Sequence, residues 1–577
     1  MGSDDLATGT GAGMRERNVH KHHDHDKGYG CGPDCNITDL TINIPGSTRR
    51  AGADDPPPAR WRTPEFMFYG LVFAIVVPML IWWPIKLSSS QSPNYWLYSP
   101  RLSQGWLFGW KVDGSDPQYK TFRGNLSALL GLGIAFLIPS HLVRFAGYTS
   151  PQARVRFITC FAALMLLVLH GIGAFKVAII LAINYFIATA HKPPAVARVW
   201  PAVVIVLNMF ILFVNEKCDG YKFAAVSESL AWLDGKSLNG LHPRWHVNFN
   251  ITMLRIVSFA LDAHWRVAPP PTTPTDQRTR TAASLPDSEY SFLNYFAYAV
   301  YPPLYIAGPI MTFNDFVWQL HSPVRVTARE RISYAIRFLF CFLTMEFILH
   351  TMYVIAIKDT KAWMGNGPAD LSLIGFWNLV TVWLKLLIPW RFFRLWALLD
   401  GVDPPENMVR CVANNYSTLG FWRSWHRSYN LWIVRYIYIP LGGAKRVVLA
   451  TTMVFTFVAL WHDLSFRLLA WGWLVSLFIV PELVGRALVP ASKYGKEWWY
   501  RHVAAMGGVV NILLMMSANL VGFVLGLDGM KHLVHELLTT ANGWMFTGFA
   551  SACLFVGVQI MFEYREEEAR RGIDRRC

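Results

Sequence analysis

The chain has 577 residues, 53% hydrophobic and 15% aromatic, and only 16% of them charged. A soluble domain carries about a quarter charged residues, so this composition excludes a single soluble core and makes lipid the solvent for much of the surface. The net charge of +15 would suit nucleic acid, but Lys and Arg sit in short stretches between apolar segments, as in 144–156 and at Lys445 and Arg446. They belong to loops facing headgroups or an anionic substrate, and no nucleic-acid partner is expected.

Residues 1–64 are polar, without periodicity, and read as a disordered tail; the first apolar segment then acts as an uncleaved anchor. In the tail, His20, His22, His23 and His25 precede Cys31 and Cys35. The spacing fits no closed zinc motif, and no metal is assigned. The eight cysteines are otherwise scattered and form no disulfide framework.

Phe66–Pro84 is uncharged and long enough to cross a core of about 30 Å at about 1.5 Å per residue. Leu126–Leu142 follows. Phe157–Ala190 is too long for one crossing and is interrupted by Gly171, Gly173 and Lys176, which predicts two short helices. Val196–Val214 is next. The amphipathic run Trp245–His264 is expected to lie along the membrane surface, and Pro269–Pro286 to be a flexible loop. Further spans are expected at Phe292–Phe313, Ile332–Ile357, Leu373–Leu399, Val447–Leu464, Arg467–Val489, Val503–Leu525 and Trp544–Phe562. The fold class is all-α and polytopic, with about eleven spans plus re-entrant or interfacial helices. The domain reading is a tail to residue 64, a membrane domain over 65–564 and a charged C-terminal tail over 565–577. Basic residues divide too evenly among the loops to fix the orientation.

Polar residues inside apolar segments are costly and mark function or internal locks. Three groups stand out. Phe421–Gly443 combines Trp422, Arg423, Trp425, His426, Arg427, Asn430 and Arg435 with further aromatics. This suits either a segment buried among helices around a cavity or an interfacial belt with snorkelling arginines. The second is His462, beside Trp461 and Asp463. A neutral imidazole there can take a proton from a hydroxyl attacking a thioester, or can simply bond a carbonyl at a helix end. The third is Glu346 and His350, four apart on one helical face, either a proton relay or an internal lock. Lys385, Arg391 and Arg394 interrupt another run and suit phosphates or a helix end.

His462 follows His426 by 36 positions, and the two motifs together resemble the membrane-bound O-acyltransferase family. Arg435–Gly443 and Ala459–Asp463 are similar to the branch holding hedgehog acyltransferases and the fungal glycerol-uptake proteins that remodel glycosylphosphatidylinositol (GPI) anchors. Trp61–Phe66 and Ser424–Asn430 resemble the fungal side of that branch. The resemblance implies His462 as general base and His426 at the family's second polar position, where hedgehog acyltransferase has Asp. It implies Trp422, Arg423, Trp425, Arg427, Asn430, Arg435 and Trp461 as residues around acyl-CoA or the acceptor. It also implies no permanently bound cofactor, acyl-CoA as co-substrate, and a lyso-GPI anchor or other lipid as acceptor, with membrane lipid around it. The location implied is the endoplasmic reticulum membrane, with the plasma membrane as a second site. Two other functions stay open: O-acylation of another lysophospholipid or a protein, and proton-coupled glycerol transport through Glu346, His350 and Arg394.

Overall fold

The computed structural model describes residues 57–462 and 466–573. Among the described residues, ten helices are long and apolar enough to cross a membrane, and the apolar helix Gly173–Thr189 is shorter. The chain opens with α1 (Pro64–Leu87), which begins in the sequence-expected place because Thr63 accepts the Phe66 N–H and Pro64 occupies the first turn. The strands among the described residues are β1 (Leu102–Gln104) and β2 (Lys111–Asp113), an antiparallel hairpin pairing Leu102 with Asp113.

Then come α2 (Leu126–Phe145), α3 (Pro151–His170) and α4 (Gly173–Thr189). The break that the glycines predicted is there. Gly171 has φ +55°, and a Cβ on it would lie 2.0 Å from the Leu238 carbonyl, so the turn requires glycine. After α5 (Pro194–Lys217) the chain differs from expectation. The helix α6 (Trp245–His264) exists, but it is central, not interfacial: every residue from Thr252 to Ala263 is buried. It packs on α4 and α5, so its polar face meets protein instead of water.

Phe292–Phe313 is not a span. Its first helix, α7, stops at Ala299, and Pro302 and Pro303 forbid continuation because they lack N–H groups and clash with the preceding turn. The carbonyls freed by this break are taken up by buried Arg255 of α6, which donates to Ala299 O at 2.9 Å and Leu304 O at 2.5 Å. Pro269–Pro286 also departs from a free loop, since it holds the helix Gln277–Ala282, whose Arg280 is ion-paired with buried Asp315 at 2.7 Å.

The second half contains α8 (Ala328–Thr351), α9 (Pro368–Leu399), α10 (Thr418–Ser424), α11 (Arg427–Ile433), α12 (Val447–His462), α13 (Phe466–Leu488), α14 (Tyr500–Asn519) and α15 (Ala541–Arg570). Helix α15 runs past the boundary expected at residue 564, and its last turns are held in place: Arg410 bonds Glu568 at 2.9 Å and Arg501 bonds Glu566 at 2.6 Å.

Candidate active site

The approach to the site is set by a cap. Glu482 of α13 accepts the Thr418 N–H at 2.9 Å and the Ser417 hydroxyl at 2.6 Å, fixing where α10 starts. At its other end the chain turns sharply, with His426 in the left-handed region at φ 45°, ψ 50°. A bulky residue there is costly and persists only when its neighbours over-determine it. They do so here: the Asn407 carbonyl accepts the Arg427 N–H at 2.9 Å, and its side-chain oxygen accepts the Ser428 N–H at 3.2 Å. Ser428 in turn accepts the Ile310 N–H at 2.9 Å. The chain restarts as α11 and ends in a wide π turn, Val434–Tyr438, a device common near functional sites.

The turn projects His426 into an aromatic cradle. Its ring stacks on Trp390, with centroids 4.4 Å apart, and meets Tyr429 at 5.1 Å and Trp461 at 6.5 Å. Burial pushes its imidazole down to about 3, with the neighbouring charge of His462 as the second cause. It is therefore neutral at working pH. His462, the last residue of α12, packs its ring on Trp461 at 4.8 Å. Trp461 thus touches both imidazoles, and is itself pinned by its indole N–H to Asn250 O at 3.0 Å and by Tyr429 at 4.6 Å. His462 is exposed at the end of α12. Asp463, singled out beside it, lies outside the described residues.

The other residues of the motif divide. Asn430 and Arg427 are half-buried beside His426, and the Asn430 N–H bonds the His426 carbonyl at 3.0 Å. Arg423 is exposed on α10. Trp425 stacks on Phe421 at 5.4 Å, and Trp422 packs between Phe455 and Trp471, at 5.9 and 5.4 Å, away from the imidazoles. Arg435 is committed elsewhere: it bonds fully buried Asp262 at 2.8 Å, and that carboxylate also accepts Tyr436 Oη at 2.9 Å. The Arg435 guanidinium is thereby ion-paired inside the protein. One face of this segment is buried in protein, with Trp432 and Tyr436 1% and 0% exposed, whereas Leu431, Val434 and Ile439 on the other are exposed.

Trp390, Asn407, Tyr429 and Asp262 carry the site and were not singled out in the sequence. Tyr429 stands inside the motif and was legible by position. The others come from elements far away in sequence and give no local signal.

The third group is an internal lock. Glu346 binds Arg123 bidentately, at 2.7 and 2.8 Å, and accepts the Trp106 indole N–H at 2.7 Å. Lys385 pairs with Asp116 at 2.7 Å, Arg394 with Asp403 at 2.6 Å, and Arg391 donates to Cys341 Sγ at 3.0 Å. Among the described residues no group of three His, Cys, Asp or Glu side chains is placed to hold a metal ion. The His20–Cys35 cluster lies outside them.

The profile of the membrane-bound O-acyltransferase family matches residues 228–527, a range that includes α6, both imidazoles and the Asp262–Arg435 pair. Membrane-bound O-acyltransferase GUP1 of Saccharomyces cerevisiae is 44% identical over 553 residues, 93% of this chain and 97% of that protein. The GUP1 of Candida tropicalis is 45% identical over 539 residues, 90% of each. Protein-cysteine N-palmitoyltransferase HHAT of Mus musculus is 26% identical over 285 residues, 45% of this chain and 54% of that protein. With a family match over more than half its length and relatives spanning nearly all of it, the chain belongs to the membrane-bound O-acyltransferase family and is an enzyme of the GUP1 type.

Proposed function

We propose that the chain transfers the acyl group of acyl-CoA to the free hydroxyl of a lyso-phosphatidylinositol GPI anchor in the endoplasmic reticulum membrane, with His462 as general base. One observation carries the chemistry: His462 and His426 share Trp461 as a common wall, and His462 is exposed beside it. His462 takes the acceptor's proton as the oxygen attacks the thioester carbonyl. The C–S bond breaks, and the CoA thiolate recovers that proton from the imidazolium. Neutral His426, or the Asn430 amide beside it, donates to the carbonyl oxygen as negative charge develops. The acceptor rests on the likeness of Trp61–Phe66 and Ser424–Asn430 to the fungal branch. Glycerol transport gains no support, because Glu346 and Arg394 are both ion-paired.

Purified protein, labelled acyl-CoA and lyso-anchor test this reading, wild type against His462→Ala. The expected result is transfer by wild type and its loss in the variant. Transfer that survives the substitution removes His462 as base. Glycerol uptake by liposomes without acyl transfer by either form selects the transporter.

A further inference from the structure

Glu346 and His350 are not among the residues placed around His426 and His462, and they hold the β1–β2 hairpin. Trp106 donates its indole N–H to Glu346, and its ring meets His350 edge-on at 6.0 Å. A Cβ on Gly105 would lie 2.4 Å from the His350 imidazole, so the strand can approach only as glycine. The hairpin turns through Leu107–Trp110, closed by the Trp110 N–H to Leu107 O at 2.9 Å, with φ 47° at Phe108 and 72° at Gly109. Two positive φ values are what such a turn requires, and glycine meets one freely; phenylalanine at the other is strained. Phe108 is 80% exposed, Trp106 59% and Trp110 43%. In water, three adjacent exposed rings would be a liability.

Their position supplies the occupant. Tyr98 Oη donates to Leu87 O, the last residue of α1, at 3.1 Å. The Tyr353 N–H, just beyond α8, donates to Ser88 Oγ at 2.9 Å, and Tyr353 Oη to Lys111 O of β2 at 3.3 Å. The hairpin is therefore fixed at the level where two candidate spans end. The outer face of α8 next to it, Phe340, Leu343 and Phe347, is apolar and exposed, as a lipid-facing surface is. Trp and other aromatic rings favour headgroup depth, at the boundary with the acyl chains. We propose that the tip Trp106–Trp110 is inserted into that boundary of the leaflet around the ends of α1 and α8, as an anchor of the enzyme in its membrane.

A fluorescent amino acid at position 108 of the full chain, in phosphatidylcholine nanodiscs, tests this with two quenchers. A nitroxide on carbon 5 of the lipid acyl chain should lower emission about two-fold or more, and iodide should quench several-fold less than it quenches the free fluorophore. Iodide quenching equal to that of the free fluorophore overturns the proposal, whatever the nitroxide does. If the chain labelled at 108 does not fold, the same probe at 110 gives the same two outcomes.

Discussion

The indole of Trp390 lies flat against the imidazole of His426, with planes 23° apart and centroids separated by 4.4 Å. No hydrogen bond to the His426 ring nitrogens occurs among the described residues, so the direction of the ring rests on its left-handed turn and on this stack. Trp390→Leu keeps an apolar side chain and removes the flat surface. Misplacing a reacting group by about 1 Å costs up to about a hundred-fold in rate. We expect kcat to fall about ten- to a hundred-fold with yield and acyl-CoA affinity retained. A turnover assay on the purified variant checks this, and a wild-type kcat would show that the stack does not orient His426.

Burial sets the pH behaviour of His426. Its pKa in the fold is about 3, below the ordinary 6.5, so the folded protein refuses a proton that the unfolded chain accepts. Its contribution to stability is complete above about pH 6.5 and declines as pH falls toward 3. His426→Asn removes this linkage, so thermal stability should drop less between pH 6.5 and 4 in the variant than in wild type. Because the ring stays neutral, the kcat–pH profiles of the two should have one shape between pH 5 and 8 and differ in height only. An inflection lost in the variant would assign the titration to His426.

Most of the spans were legible because lipid leaves a strong local trace: about twenty apolar residues cannot hide. The histidines were legible for the converse reason, as polar groups where burial is costly. Helix α6 failed because an amphipathic pattern shows that two faces differ, not what each meets. Its polar face, with Arg255, Ser258 and Asp262, turns to the Ala299 carbonyl, the Phe313 N–H and the Tyr436 hydroxyl. The break itself was written in Pro302-Pro303 and was outweighed by the run of apolar residues around it. Asp262 and Arg435 stand 173 positions apart, and nothing local in either stretch points to the other.

That pair should be felt in folding before it is felt in catalysis. Asp262 is 1% exposed and accepts from Arg435, Tyr436 and the Asn314 N–H. Removing one partner of a buried pair costs about 3–5 kcal/mol because the other charge is left without compensation. Arg435→Ala should therefore lower the melting temperature and the yield from the membrane, while Asp262→Asn with Arg435→Gln restores part of both. Thermal melts of single and double variants check this. A stable Arg435→Ala protein with a raised KM for acyl-CoA would return Arg435 to the donor site.

Arg423 makes the opposite case. It is exposed on α10, near the start of the histidine turn, with no hydrogen bond or ion pair among the described residues. Arg435 is held by Asp262, so Arg423 is the motif's guanidinium left open to a phosphate of the donor, which it can bind through two N–H groups. A contact made equally in the ground and transition states moves KM alone. Arg423→Ala should raise KM for acyl-CoA about ten-fold, the scale of one charge-assisted hydrogen bond, and leave kcat unchanged. An acyl-pantetheine donor, which has the thioester without the CoA phosphates, separates this from a disturbed fold. Wild type and variant should use that donor equally, and a variant impaired on both donors would place Arg423 in packing instead.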